Sequence, residues 1–161
     1  MRCLIIDDDE SPRMLMARLI LRSGHACMAV DGPKAAVAAL AAERFDIAIV
    51  DMEMPDGGGV PTIASLRQID PQLRILVVSG YDDRRHVMAA LDAGADGYLV
   101  KDEVAESLGS SLQSVRAGHT PLSPRVAAIM VRQLRKDRPV ASGTGPVPVS
   151  VAKLRGPSSP K

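Results

Sequence analysis

Five residues of this 161-residue chain stand where short apolar runs give way to turn chemistry. Asp7 and Asp8 follow Cys3-Leu4-Ile5-Ile6, Asp51 follows Ile47-Ala48-Ile49-Val50, Ser79 follows Leu73 to Val78, and Lys101 follows Gly97-Tyr98-Leu99-Val100. A carboxylate placed directly after four buried residues needs partners, because an unpaired buried charge is costly. Each residue has a plain explanation when taken alone. Strand ends are often polar, Asp51 could be an acidic cap, Asp7-Asp8 could solvate a loop, and Lys101 could be a surface residue. Taken together they form a chemical set of three carboxylates, a hydroxyl and an ammonium. Clustered carboxylates repel one another unless a cation sits among them, and an all-oxygen ligand set points to Mg²⁺. The sharper reading of Asp51 is a reactive carboxylate at the carboxyl edge of a sheet, where open α/β folds place ligand sites.

That reading requires elements that bring the five residues to one edge. The apolar runs are short and rich in β-branched residues, as expected of strands buried on both faces of a parallel sheet. Strands are predicted at Cys3–Ile6, His25–Val30, Ile47–Val50, Leu73–Val78 and Gly97–Val100. Helical segments alternate with them. The first is predicted from Ser11-Pro12, with Ser as N-cap and Pro at the first helical position, to Arg22, packing through Leu15, Leu19 and Arg22 and closed by Ser23-Gly24. The second, after Asp31-Gly32-Pro33, is almost all Ala to Ala42, with Val37 and Leu40 as its larger packing residues. The third spans Val60–Ile69, the fourth Asp82–Ala93, and the fifth Glu103–Ala117 with Leu108, Leu112 and Val115 on one face. Five strands alternating with five helices predict an α/β fold, a five-stranded parallel sheet with helices on both faces. The glycines at 57–59 lack a following Gly-Lys-Ser/Thr, so they read as a loop and not a phosphate cradle.

Composition narrows the function classes. The chain is 46% hydrophobic and 24% charged, enough for a packed core. One Phe, two Tyr and no Trp leave no aromatic platform for stacking RNA bases. No apolar run approaches the roughly eighteen residues of a membrane span, and the N-terminus is too acidic and its apolar stretch too short for a signal peptide. Cys3 and Cys27 fall in predicted strands and read as buried thiols in a cytoplasmic protein. His25, His86 and His119 have no ligand-spaced neighbours and read as structural or exposed. Residues 1–120 hold 12 Lys and Arg against 18 Asp and Glu, whereas residues 121–161 hold 8 against 1. An acidic body joined to a basic end is a two-part molecule.

At this point residues 1–120 resemble the receiver domain of two-component response regulators. The acidic pair Asp7-Asp8, Asp51 in Val-Asp-Met-Glu-Met-Pro, Ser79-Gly80, and Tyr98 three residues before Lys101 carry the resemblance. Gly-Tyr-Leu-Val-Lys-Asp and Val-Arg-Ala-Gly-His-Thr-Pro-Leu-Ser-Pro are similar to the NarL/FixJ-type subgroup. The resemblance implies a flavodoxin-like sheet order 2-1-3-4-5 with its switch point between strands one and three. It implies that Asp51 is the phosphoacceptor, taking a phosphoryl group from a sensor histidine kinase or phosphotransfer protein. It implies Mg²⁺ held by Asp8, Asp51 and the backbone carbonyl of Glu53, with Asp7 helping mainly through water. Lys101 and Ser79 would bind phosphoryl oxygens, Ser79 and Tyr98 would form the switch, and the face of helix four, strand five and helix five would carry the signal to a protein partner or into a homodimer. Such a chain is an acceptor and not a turnover enzyme. Where many receivers have proline after the lysine, Asp102 stands here, which leaves open whether the Lys101–Asp102 bond is cis.

Beyond the receiver, Ser123-Pro124 opens a linker-like helix over 121–136 with Val126, Ile129, Met130 and Leu134 as its apolar stripe. Residues 137–161 hold five prolines and three glycines and read as a basic, disordered tail. They are too few for a helix-turn-helix, which argues against sequence-specific DNA binding. The alternative is a transcription-related regulator acting by heterodimerisation or by weak DNA contact through the basic tail. An aspartate-nucleophile phosphatase is disfavoured because Glu53 stands where that family places a second Asp.

Overall fold

The computed structural model describes residues 1–55 and 58–137. Five parallel strands, β1 (Arg2–Ile6), β2 (Ala26–Val30), β3 (Ile47–Asp51), β4 (Arg74–Ser79) and β5 (Gly97–Val100), pair in the order β2-β1-β3-β4-β5. The helices are α1 (Glu10–Arg22), α2 (Pro33–Ala42), α3 (Gly59–Ile69), α4 (Arg84–Ala93), α5 (Val104–Arg116) and α6 (Pro124–Lys136), with a 3₁₀ turn at Lys101–Glu103. The expected fold class and strand order are therefore observed.

Alternation along the strands divides the core in two. Leu4, Ile6, Ala48, Val50, Ile75, Val77 and Tyr98 face one layer, where Ala36 and Ala39 of α2, Ile63 and Leu66 of α3, and Val87 and Ala90 of α4 meet them. Cys3, Ile5, Ile47, Ile49, Leu76, Val78 and Leu99 face the other, against Met16 and Ile20 of α1 and Leu108, Leu112 and Val115 of α5. Each large aliphatic side chain removed from water in this way contributes roughly 1.5–3 kcal/mol. Burial on both faces is why the strands read as continuous apolar runs.

Three local expectations are corrected. α1 is capped by Asp9, whose side chain accepts from the Ser11 amide at 3.1 Å, so Ser11 and Pro12 lie inside the first turn. Proline is tolerated there because first-turn amides have no intrahelical partner. α1 buries Met16 and Ile20, whereas Leu15 is 43% exposed. Its sequence, Met-Leu-Met-Ala-Arg-Leu-Ile-Leu, is apolar on nearly every side, so spacing did not decide the face. In α2 the fully buried residues are Ala36 and Ala39; Val37 is exposed, whereas Leu40 is half-buried and packs against the core as expected. Gly24 does close α1 in the left-handed region, at φ 77°. Cys3 is buried and Cys27 half-buried, both free thiols; burial pushes Cys3 up to about 11. No cis peptide bond occurs among the described residues.

The segment after α5 returns to the sheet. The Tyr98 amide donates to the Pro121 carbonyl at 3.0 Å, the Ser123 amide donates to the Tyr98 carbonyl at 3.0 Å, and the Val100 amide donates to Ser123 Oγ at 3.0 Å. Residues 121–123 thus close the outer edge of β5, and α6 follows with Val126 fully buried and Ile129 and Met130 half-buried. Leu134, expected in the same stripe, is 66% exposed. Gly97 makes this approach feasible, since a Cβ there would lie 2.7 Å from the Pro121 carbonyl oxygen. The basic tail read from the sequence lies, after Asp137, outside the described residues, as do Asp56 and Gly57 of the glycine loop.

Candidate functional site

The connection leaves β1 for β2 on one side and returns to β3 on the other, so the carboxyl ends of β1 and β3 flank a crevice. Asp7 extends β1 and is fully buried; Asp51 ends β3 and is 1% exposed. Asp8, the next residue, is exposed, and carboxylate oxygens of Asp7, Asp8 and Asp51 all lie within 4.8 Å of one another. Two backbone amides orient the buried pair. Asp9 N–H donates to Asp7 Oδ1 at 2.9 Å, and Glu53 N–H donates to Asp51 Oδ1 at 3.1 Å.

Lys101 enters from the end of β5. Its Nζ lies 3.2 Å from Asp51 Oδ2, 3.7 Å from Asp7 Oδ2 and 3.8 Å from Glu53 Oε2. One ammonium is shared among three carboxylates, nearest to Asp51. Asp7 Oδ2 and Asp51 Oδ2 remain buried with no hydrogen-bond partner. Burial, together with the Asp51 charge, pushes the Asp7 carboxyl up to about 6, against the pull of the Asp9 amide and Lys101. Burial works against the Lys101 ammonium, yet Asp51 and Asp7 outweigh it and hold Lys101 above its ordinary value. Three carboxylates gathered around a single ammonium, two of them with buried oxygens that accept no hydrogen bond, fit a hard divalent cation.

Ser79 ends β4 beside this cluster and is fully buried; its Oγ accepts from the Tyr81 amide at 3.0 Å. Tyr98 points inward, with no exposure, and its hydroxyl donates to the Tyr81 carbonyl at 2.7 Å. Burial pushes the Tyr98 phenol up to about 12, with the Ser79 hydroxyl acting the other way. The structure therefore brings together Asp7, Asp8, Asp51, Ser79, Lys101 and Tyr98.

Four residues at or near the site escaped the sequence reading. The Glu53 side chain, and not only its backbone, reaches the site and accepts from the Gly80 amide at 3.3 Å. Arg13 donates to the Asp7 carbonyl at 2.8 Å and steadies the acidic loop. His86 stacks on Tyr81, ring centroids 4.0 Å apart, and its Nδ1 pairs with Asp83 at 2.5 Å. Arg125 of α6 reaches back to the loops on either side of β5. The Glu53, Arg13 and Arg125 contacts depend on where the fold places a long side chain, whereas His86 pairs with Asp83, the N-cap of α4, three residues before it.

A doubly wound five-stranded sheet with an acidic cluster and a strand-end lysine at its switch point defines a receiver. The chain matches the response regulator receiver domain family over residues 3–113 and belongs to it. It is 36% identical over 100 residues to the DNA-binding transcriptional activator DevR/DosR of Mycobacterium tuberculosis, covering 62% of this chain and 46% of that protein. A two-component response regulator of the LuxR family from Aurantimonas superposes with a TM-score of 0.77 at 28% identity, covering 83% of this chain and 97% of that one. A response regulator from Burkholderia pseudomallei, with a phosphorylated aspartic acid, a calcium ion and citrate, superposes with a TM-score of 0.65 at 27% identity, covering 84% of this chain and 74% of that one. This chain spans 46% and 57% of the length of two curated relatives it matches.

Proposed function

We propose that the chain is a phosphoacceptor in which Asp51 takes a phosphoryl group from a histidine kinase or phosphotransfer protein. The observation that carries this is the buried Asp51 Oδ2, without a hydrogen-bond partner, 3.2 Å from Lys101 Nζ and clustered with Asp7 and Asp8. The aspartic phosphorylation and calcium ion of the Burkholderia relative support the same reading.

Asp51 Oδ2 forms the new bond to phosphorus as the bond from phosphorus to the donor's imidazole nitrogen breaks, and that nitrogen leaves with its electron pair. Asp8, Asp51 and the Glu53 carbonyl would hold Mg²⁺, with Asp7 acting through water; the bound cation supplies positive charge opposite the transferring group. Lys101 follows the charge from Asp51 onto a phosphoryl oxygen. Ser79 turns its hydroxyl proton from Tyr98 to another phosphoryl oxygen, which draws the β4–α4 loop toward the site. Tyr98, bonded to Tyr81 on that loop, joins the movement to β5. The chain then signals by contact with a protein partner through the α4, β5 and α5 face, or by homodimerisation, and works in the cytoplasm; no helix among the described residues is long and apolar enough to cross a membrane. In this reading residues 1–120 are the receiver, 121–136 a linker-like helix and 137–161 an appended basic tail, and the chain is an acceptor and not a turnover enzyme.

The test is labelling by a small phosphodonor with and without Mg²⁺, read by intact mass. One added phosphoryl group on the parent and none on Asp51→Asn is expected; an unlabelled parent overturns the reading. A second reading, transcription control through heterodimers with a longer DNA-binding relative, draws on the likeness to DevR/DosR. It requires a salt-sensitive DNA mobility shift that appears only when such a partner is added.

A further inference from the structure

Beyond the family match at residue 113, α6 sends one side chain back to the site's own loops. Arg125 forks across three carboxylates. Its NH1 lies 3.0 Å from Asp82 Oδ2, its NH2 2.6 Å and 2.7 Å from the two oxygens of Asp102, and its Nε 3.4 Å from Glu103 Oε1. Asp82 stands three residues after Ser79 and next to Tyr81, whose carbonyl receives the Tyr98 hydroxyl. Asp102 directly follows Lys101. One guanidinium therefore ties the loop that carries Ser79 to the loop that carries Lys101.

The base of the fork is fixed. Val126, its neighbour, is fully buried, and Ser123 is hydrogen-bonded to both Tyr98 and Val100. Without the guanidinium, Asp82, Asp102 and Glu103 would meet as like charges and push the two loops apart. Exposed ion pairs are individually weak, but one guanidinium whose three nitrogens each meet a different carboxylate joins them in a network, the arrangement in which such pairs contribute.

We propose that Arg125 is a positioning residue for the phosphoacceptor site, holding the Ser79 and Lys101 loops at the separation that a phosphoryl group on Asp51 requires. This rests on the phosphoacceptor reading. Because the clamp and the phosphoryl group favour the same arrangement, each strengthens the other. Phosphorylation tightens α6 onto the body, and losing the clamp weakens the phosphorylated arrangement.

The probe is beryllofluoride with Mg²⁺, a stand-in for the phosphoryl group, titrated against the full chain. Arg125→Ala is expected to weaken beryllofluoride binding and slow phosphodonor labelling by about fivefold, the low end of measured allosteric couplings. Mg²⁺ affinity alone should stay put, since Asp7, Asp8 and Asp51 are untouched. Arg125→Lys should recover only part of the loss, having a charge but no fork. Asp102→Asn, a change on an exposed loop that leaves the core intact, should weaken binding in the same direction, and the double variant should be no worse than Arg125→Ala. Amide exchange across residues 124–136 should slow on beryllofluoride binding in the parent and not in Arg125→Ala. Equal beryllofluoride affinity and labelling in parent, Arg125→Ala and Asp102→Asn would overturn the clamp while leaving the acceptor reading standing. A parent that binds no beryllofluoride and takes no phosphate would overturn both.

Discussion

Two carboxylate centres sit at opposite edges of the same sheet and are treated in opposite ways. At the amino edge, Asp96 accepts from the Ile75 amide at 2.8 Å and from Arg67 at 2.9 Å, with Arg74 at 3.7 Å. The Arg67 guanidinium also donates to the carbonyls of Pro71, Leu73 and Gly94 at 2.6–2.9 Å. At the carboxyl edge, Asp7 and Asp51 are more deeply buried, yet each keeps an oxygen without a hydrogen bond, and one lysine is divided among three acids. The first centre is finished and binds the chain to itself. The second leaves acceptor capacity unused, as the proposed phosphoacceptor role requires. Residue types alone do not separate the two, since both are an acid and a base at strand ends; the hydrogen-bond accounting does.

Substitutions should pull the two centres in different directions. Lys101→Ala is expected to slow phosphodonor labelling of the folded protein about 100-fold, the scale of losing a preorganised charge stabiliser, and it also costs stability, because Asp7 and Asp51 are left buried without their cation. Arg67→Ala should act on stability alone: a loss of about 2–3 kcal/mol in urea unfolding, because it strips charged hydrogen bonds from four acceptors, with labelling of the folded fraction unaffected. Equal losses of labelling in the folded protein at both positions would erase the contrast. Asp7→Asn sharpens it further, for removing a buried charge that repels Asp51 and keeps one oxygen without a hydrogen bond should raise the denaturation midpoint of the metal-free protein while weakening Mg²⁺ binding about tenfold.

The smallest effect concerns protons. Burial and the Asp51 charge push the Asp7 carboxyl up to about 6, well above the ordinary carboxylate value near 4. Between those values the folded state holds more protons than the unfolded state, so metal-free stability should fall as pH rises through about 4 to 6. A cation must displace that proton, so Mg²⁺ affinity should fall about twofold between pH 7.5 and pH 6. Isothermal titration at the two pH values checks this, and Asp7→Asn should abolish the dependence.

How much of this was legible in the sequence follows from the range of each interaction. Strands buried on both faces announce themselves by composition, and the five chemical residues lie at their ends, so the sheet and the acidic cluster were readable. The cap of α1 was misplaced by two residues because Asp9, Ser11 and Pro12 offer competing local signals, and only the built helix shows which side chain reaches an amide. Arg67 and Arg125 were not readable at all. Their partners lie up to 29 and 43 residues away, and an arginine in a helix carries no mark of what it will meet. The partial exposure of α6 was missed for a related reason: its apolar spacing is regular through Leu134, but the body covers only Val126, Ile129 and Met130 well.

The short pairing of residues 121–123 with β5 has a consequence for how the domain can be cut. An open strand edge is a template for another strand. A fragment ending at Ala117 would bare the main-chain groups of Tyr98 and Val100 that Pro121 and Ser123 now satisfy, beside the hollow left by Val126. Such a fragment would keep every residue of the acidic cluster and still be prone to stick edge to edge, so the smallest well-behaved unit of this receiver extends past the family boundary to α6.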